Sequence, residues 1–237
     1  MDLLKNFFYW VKDILFPQVC ALCGCSLIGV SEIRYGLCKF CLLEITPVPG
    51  SRCNLCGRPL ISEIDYCLSC RNKNDHSYDC LWVIFPYTGK YRKLLTAYKF
   101  KKNLALADFL TEKILEIKNE NPVLKDAFIV PVPPRPGKIK DTGWDQIDYL
   151  VRRMKKIDKK LIICRCLKRS KSKVQKRLNR TERIENLKGR IYPCAEVPQT
   201  ALIIDDVITT GSTIEVCSAV LKQNGAKKVY GLCLFYD

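Results

Sequence analysis

Residues 201 to 213 read ALIIDDVITTGST: an apolar run, two adjacent carboxylates and, after Val207 and Ile208, five residues that are all threonine, glycine or serine. A loop of small residues entering a helix offers free backbone N–H groups at the positive end of the helix dipole, and hydroxyls add donors. Thr209, Thr210, Gly211, Ser212 and Thr213 therefore read as an anion cradle that suits a phosphate monoester. It is not a Walker A loop, because no Gly-Lys-Ser/Thr follows. Asp205 and Asp206, one step upstream, can accept hydrogen bonds from vicinal hydroxyls or help hold Mg2+. Phosphate at one end with hydroxyls or a metal nearby describes a sugar phosphate. The plainer alternative, an aspartate N-cap on a tight strand-to-helix turn, accounts for one Asp and one Thr but not the whole run.

A second chemistry lies in the cysteines. Eight of the 15 form four Cys-x-x-Cys pairs: Cys20/Cys23, Cys38/Cys41, Cys53/Cys56 and Cys67/Cys70. Two residues between cysteines turn both sulfurs toward one ion, and two such knuckles supply the four thiolates of a tetrahedral Zn2+ site. Gly24 and Gly57 follow the first and third pairs, where the knuckle backbone needs a positive φ. The simple pairing is sequential, with the first four cysteines on one ion and the last four on another; an interleaved pairing is also open. The segment has few large apolar residues, so metal binding is expected to supply much of its folding free energy. Cys25 is a ninth thiol that the count does not need. Cys80, Cys164, Cys166, Cys194, Cys217 and Cys233 read as small core fillers. His76, the single histidine, stands in the polar stretch RNKNDHSYD and is expected to be neither ligand nor catalyst.

Around these motifs the chain is 48% hydrophobic and 27% charged, a globular rather than a disordered composition. Its net charge of +16 is unevenly placed: residues 1–80 are formally neutral, whereas 135–190 hold 20 Lys/Arg against 6 Asp/Glu. Such a concentration suits a polyanion, either nucleic acid or a polyphosphate substrate; a merely solubilising basic surface is the alternative. Residues 1–17 have apolar positions at helical spacing and read as an amphipathic helix that docks on its own protein or lies on a membrane surface. They are too short and too charged to span a bilayer and lack a small-residue cleavage site, so a soluble cytoplasmic protein is expected.

The elements that must position the motifs begin near residue 80. Strands are expected at 80–87, 127–132, 201–204 and 228–236, alternating with helices over YRKLLTAYKF, LALADFLTEKILEIK, DQIDYLVRRMKKI and residues 212–223. That alternation indicates an α/β fold with a parallel sheet flanked by helices. Ligands of such sheets sit beyond the carboxyl ends of the strands. There the proline-rich turn after Val132, the basic connection around 165–190 and the Asp-Asp loop converge. The expected domains are an N-terminal helix at 1–17, a double zinc ribbon at 18–75 and the α/β domain at 80–237.

LIIDDVITTGST resembles the 5-phosphoribosyl-1-diphosphate (PRPP) motif of type I phosphoribosyltransferases. The resemblance implies that Asp205 and Asp206 face the ribose hydroxyls and that Thr209 through Thr213 hold the 5-phosphate. Over nearly the whole chain the sequence resembles one branch, the competence protein F (ComF) family, with its N-terminal double zinc ribbon. CALCG after LFP, TAYKFKKN, IVPVPPRP and LKRSKSKVQKRLNRTERIENLKGR carry that likeness in order. It implies a type I phosphoribosyltransferase-like parallel sheet with a small double zinc-ribbon domain. Lys99, Pro133 and Arg135 would join the PRPP contacts, and Arg169, Gln175, Arg180, Arg183 and Asn186 would form a basic hood or a nucleic-acid contact. One departure stands out: the usual Arg-Gly-Phe-Asn-Gln is here Thr142-Gly143-Trp144-Asp145-Gln146, with Lys138 and Lys140 close by.

What the resemblance implies is a PRPP-binding, phosphoribosyltransferase-like protein working with single-stranded DNA in natural competence. Two structural zinc ions, Mg2+ with PRPP, and competence or DNA-translocation proteins as partners belong to the same expectation. If active, it would transfer a pentosyl group, although no general base is evident in the sequence. A nucleic-acid-binding zinc-ribbon adaptor with a regulatory or vestigial PRPP site is the alternative, and a nucleotide-salvage phosphoribosyltransferase a third.

Overall fold

In the computed structural model the described residues are 18–47, 51–71, 76–170 and 180–237. The expected helix at 1–17 and Gln175 lie outside them. The chain divides into two compact units: one contains the chain up to Thr46 together with Thr88–Phe109, the other Pro47–Tyr87 together with Leu110–Asp237. The two ribbons are thus parted between units, whereas the sequence groups them in one segment.

In the first unit the leading ribbon carries helices α1 (Val30–Tyr35) and α2 (Lys39–Glu44). α1 ends at Gly36, whose φ of 64° satisfies the left-handed cap; a Cβ there would also be tight, 3.0 Å from that of Ala105. Lys90 Nζ and Tyr91 Oη donate to the carbonyls of Glu44 and Thr46 at 2.5 and 2.9 Å. Tyr35 meets Phe109 edge-on at 6.2 Å.

The second unit begins with the trailing ribbon and its short helix α3 (Leu68–Arg71) and continues into β1 (Cys80–Pro86). α4 (Gly89–Lys99) and α5 (Leu106–Glu120) follow, with the boundary between units falling inside α5. Next come β2 (Phe128–Pro131), α6 (Lys138–Thr142), α7 (Gln146–Ile157), β3 (Leu167–Arg169) and α8 (Arg180–Leu187). The chain closes with β4 (Ile191–Pro193), β5 (Thr200–Ile208), α9 (Ser212–Gln223) and β6 (Lys228–Tyr236).

The main sheet is parallel throughout, in the order β1-β6-β5-β2. α7 packs on β2 and β5, and α9 on β5 and β6. The middle strands are accordingly buried residue after residue, with Ala201 to Ile204 and Leu232 to Phe235 all fully enclosed, the mark of a parallel sheet covered on both faces. This is the α/β parallel sheet flanked by helices, preceded by zinc ribbons, that the sequence predicts.

Three differences bear on the site. β5 is longer than its apolar run, because β6 keeps pairing with it through Asp205↔Cys233 to Ile208↔Tyr236. The carboxylates therefore lie inside the strand rather than after it. β2, in contrast, stops at Pro131↔Ile204, just before Pro133 and Pro134, which have no N–H to offer the ladder. Finally, the described parts of the basic connection form regular elements: β3 and β4 pair antiparallel, and α8 packs on α9 with Leu187 buried and Ile184 against the same core.

Asp79 ties the start of β1 to the neighbouring strand β6 and to the end of α9. Its carboxylate accepts from Val229 N–H at 2.8 Å and lies 2.9 and 3.3 Å from the ammonium groups of Lys222 and Lys228. Burial alone would raise its pKa, but these three donors hold it below the usual value. A depressed folded-state pKa stabilises fully above the unfolded value of about 3.9, and the contribution disappears as pH falls through the folded one. Asp79→Asn is expected to cost about 1 kcal/mol at pH 7, discounted for partial exposure. In denaturant titrations the gap to wild type should close below about pH 4; a gap independent of pH would refute the linkage.

Candidate functional site

β5 delivers Asp205 and Asp206 to the sheet edge where β2 has ended. Successive strand residues point to opposite faces, and the neighbours of each carboxylate agree. Asp206 is buried and faces the start of α7, where Gln146 Nε2 donates to its Oδ2 at 2.7 Å. Its other oxygen accepts the N–H of Val207 at 2.9 Å. Asp205 is half-buried, accepts the N–H of Asp206 at 2.8 Å, and acts electrostatically on Arg169 and Cys217. The structure thus separates the two carboxylates: one is held by Gln146, the other acts electrostatically on Arg169.

The departing segment explains that hold. Asp145 caps α7 by accepting from Asp148 N–H at 2.8 Å, and its other oxygen lies 2.6 Å from Lys138 Nζ. Lys138 also donates to Gln146 Oε1, so a chain of polar contacts runs from Lys138 through Gln146 to Asp206. Lys138 serves the scaffold under Asp206, while Lys140 is exposed.

The anion loop starts α9. Gly211 is the N-cap at φ 74°, a left-handed conformation that favours glycine. Thr209 is exposed, Ser212 is buried, and the hydroxyls of Thr210 and Ser212 lie 2.7 Å apart. Arg169, at the end of β3, brings a guanidinium beside Asp205. Burial holds its pKa below the ordinary value, Cys217 and Asp205 oppose that, and Arg135 adds to it by like-charge repulsion. Its Nε is buried with no hydrogen-bond partner among the described residues. Arg135 itself is exposed, 3.6 Å from Asp141, and Pro133 is buried at the turn. Asn186 is half-buried on α8, and Arg180 and Arg183 belong to the same helix. Lys99 lies in the last turn of α4, in the first unit, with its ammonium 5.8 Å from the Phe100 ring.

The cysteines gather as two clusters, each with its thiol sulfurs within 4.8 Å of one another. Four sulfurs about 2.3 Å from one ion stand about 3.8 Å apart; Cys23–Cys38 and Cys56–Cys67 are each 3.7 Å apart. The set fits zinc, and these are two zinc sites. Backbone amides prepare the knuckles for thiolate. Against burial, which raises both, the amides of Cys23, Cys38 and Leu22 bring Cys20 down to about 6 and those of Cys56, Cys67 and Leu55 bring Cys53 down to about 7.

The second cluster holds the expected Cys53, Cys56, Cys67 and Cys70. The first gathers Cys20, Cys23, Cys25 and Cys38, with Cys23 and Cys25 sulfurs 3.4 Å apart, and Cys41 within hydrogen-bond reach of Cys20, Cys23 and Cys38. Five thiols thus serve four positions. Cys25→Ser and Cys41→Ser are each expected to retain both zinc ions, and the double variant to keep one, by elemental analysis per chain. A single Cys41→Ser that drops to one ion would show that Cys25 does not ligate.

Sequence reasoning missed His76. Its side chain is only 4% exposed, and the ring lies between Cys70 Sγ and Glu215 of α9. A polar linker masks such a burial, and only its spacing of six residues from Cys70 could have hinted at it.

Comparison with known proteins agrees with this architecture. The double zinc ribbon domain family matches residues 11–71. Competence protein F of Haemophilus influenzae is 27% identical over 205 residues, 83% of this chain and 88% of that protein. Competence protein ComFC of Streptococcus pneumoniae is 28% identical over 154 residues, covering 62% of this chain and 64% of the relative. DNA utilization protein YhgH of Salmonella typhimurium is 27% identical over 230 residues, 92% and 96% of the two chains. Among solved structures, a hypoxanthine phosphoribosyltransferase of Staphylococcus aureus overlaps 55% of this chain and 63% of its own, at 14% identity and a TM-score of 0.35, too loose a superposition to bear on function. With a double zinc ribbon ahead of a helix-flanked parallel sheet, and relatives aligned across most of its length, the chain resembles the competence protein F family.

Proposed function

We propose that the protein binds PRPP with Mg2+ at the end of β5 and acts in natural competence, in the handling of single-stranded DNA. The observation that carries the ligand is Arg169: a desolvated guanidinium that feels the charges of Asp205 and Arg135, its Nε without a partner among the described residues. Buried polar atoms are otherwise almost always satisfied, so an unpaired guanidinium N–H indicates an anionic ligand.

In this reading Thr209 to Thr213 hold the 5-phosphate through the amides that open α9, and Arg169 with Arg135 faces the pyrophosphate. Asp205 and Asp206 are the candidate residues toward the ribose and the magnesium, whose charge offsets that of the pyrophosphate. Asp206 keeps the strand end in place through Gln146. β3, α8 and β4 wall the site and exclude water, which strengthens each of these charges. The relatives' names, competence proteins and DNA utilization proteins, support the DNA role. So does the outer face of α7, where Arg152, Lys155 and Lys156 are exposed opposite buried Ile147, Leu150, Val151 and Met154.

Calorimetric titration with Mg-PRPP tests the ligand: wild type should bind, and the Asp205→Asn/Asp206→Asn double variant should not. Equal affinity in both would sink the assignment. Oligonucleotide binding should weaken steeply with salt, as phosphate neutralisation requires; a salt-independent or undetectable interaction would remove the DNA role.

A further inference from the structure

His76 is tied into a polar chain that the proposed function does not use. One ring nitrogen, Nε2, lies 3.9 Å from Cys70 Sγ, a thiol of the second zinc cluster. The other, Nδ1, lies 3.2 Å from Glu215 Oε2, and Glu215 Oε1 accepts the N–H of Ser77 at 2.8 Å. Glu215 sits in the first turn of α9, where its own N–H donates to the carbonyl of Gly211 at 2.9 Å. The ring also stacks at a tilt on Tyr78, with centroids 4.9 Å apart. The far end of the anion loop is thereby fastened to the zinc knuckle.

The near end is fastened to the same ribbon. β5 leaves the sheet at Ile208, which pairs with Tyr236, and the Arg58 guanidinium of the second ribbon lies 5.4 Å over the Tyr236 ring. Residues 209–211 are thus bracketed by two contacts to one metal-organised module.

The charge of Glu215 gives the bracket a purpose. A carboxylate in the first turn is attracted to the same helix end that would bind a phosphate. Left free, it would compete with an anionic ligand and repel it. Drawn aside to His76 and Ser77, it leaves the amides of α9 to the ligand. We propose that His76 is a positioning residue coupling the second zinc site to the anion loop: zinc at Cys53, Cys56, Cys67 and Cys70 holds His76, and His76 holds Glu215 away from the loop. The proposal rests on reading that loop as the anion site. Coupling is reciprocal, so a bound anion should retain zinc as zinc favours the anion.

The test uses the full zinc-loaded chain and follows zinc release to a coloured chelator, with and without Mg-PRPP and, in parallel, inorganic pyrophosphate. Partners that orient a metal ligand typically change metal affinity by about 10–100-fold. Glu215→Gln and His76→Ala should speed release from one of the two sites by about 10-fold or more. Ligand should slow that release in wild type but not in His76→Ala. In His76→Ala the freed carboxylate should also weaken anion binding, and adding Glu215→Gln should restore it, a rescue that general loosening of the fold would not produce. Mg-PRPP that binds while zinc release responds to neither ligand nor variant overturns the coupling alone. Pyrophosphate that slows release where Mg-PRPP does not bind supports the coupling and refutes the PRPP reading. Mg-PRPP that does not bind wild type, with zinc release unaffected by either ligand, overturns both.

Discussion

Replacing Cys53 and Cys67 by serine is expected to cost the second compact unit far more than one metal ion. The ribbon they organise is built into the wall of the sheet. Leu55, between the paired cysteines, packs on the core that contains Leu81, Val83, Ile203 and Ile214. Gly57, at φ 68°, comes so close to β1 that a Cβ would lie 2.5 Å from the carbonyl oxygen of Leu81. The Cys80 thiol donates to the carbonyl of Asn54 at 2.9 Å. Zinc contributes about 10–16 kcal/mol to the folding of isolated fingers. If only about 4 kcal/mol of that is lost here, the unfolding midpoint falls by roughly 8–16 °C. Thermal unfolding followed with zinc content checks this. The matching Cys20→Ser/Cys38→Ser pair should remove the other zinc and leave the transition of the second unit in place. Equal loss from both pairs, or none from the Cys53/Cys67 pair, would contradict this account of the second ribbon.

Arg169→Ala is expected to weaken Mg-PRPP binding by about 10–100-fold, the worth of one or more charge-assisted hydrogen bonds. Stability should behave in the opposite way. The guanidinium is partly desolvated with an unpaired Nε, and removing such a charge is neutral or stabilising. The unfolding midpoint should therefore hold or rise while affinity falls, a split that a residue serving only the scaffold would not give. Arg169→Lys should recover little, because an ammonium cannot present the planar fork that grips a phosphate at two points. Calorimetry and thermal unfolding on the same samples read both halves. Unchanged affinity would exclude Arg169 from the site.

Much of the site was legible because its parts are local. Strands with continuous apolar runs, the helix over 212–223 and the Cys53/Cys56 and Cys67/Cys70 knuckles each follow from short-range patterns, and each recurs in the structure where expected. What spacing could not show is what faces what. Asp205 and Asp206 read as one pair, yet their strand alternates, so Asp206 bonds Gln146 of α7 while Asp205 acts electrostatically on Arg169 of β3. Two adjacent letters carry no record of the faces to which a strand assigns them. The basic stretch read only as a basic connection because its charges hide a thin apolar line, Leu167, Leu187 and Ile191, which the packing against α9 reveals.

The sequence by itself thus determined the chemistry on offer: thiolates in knuckle spacing, a phosphate-type loop, a basic stretch and a parallel sheet to carry them. Those properties depend on residues within a few positions of each other. Only the tertiary structure decided the partnerships: Cys25 with the first cluster, Asp145 with Lys138, and His76 between Cys70 and Glu215. The last of these joins residues 139 positions apart. Such a contact depends on how the ribbon seats against the sheet and α9, and no local pattern encodes that placement.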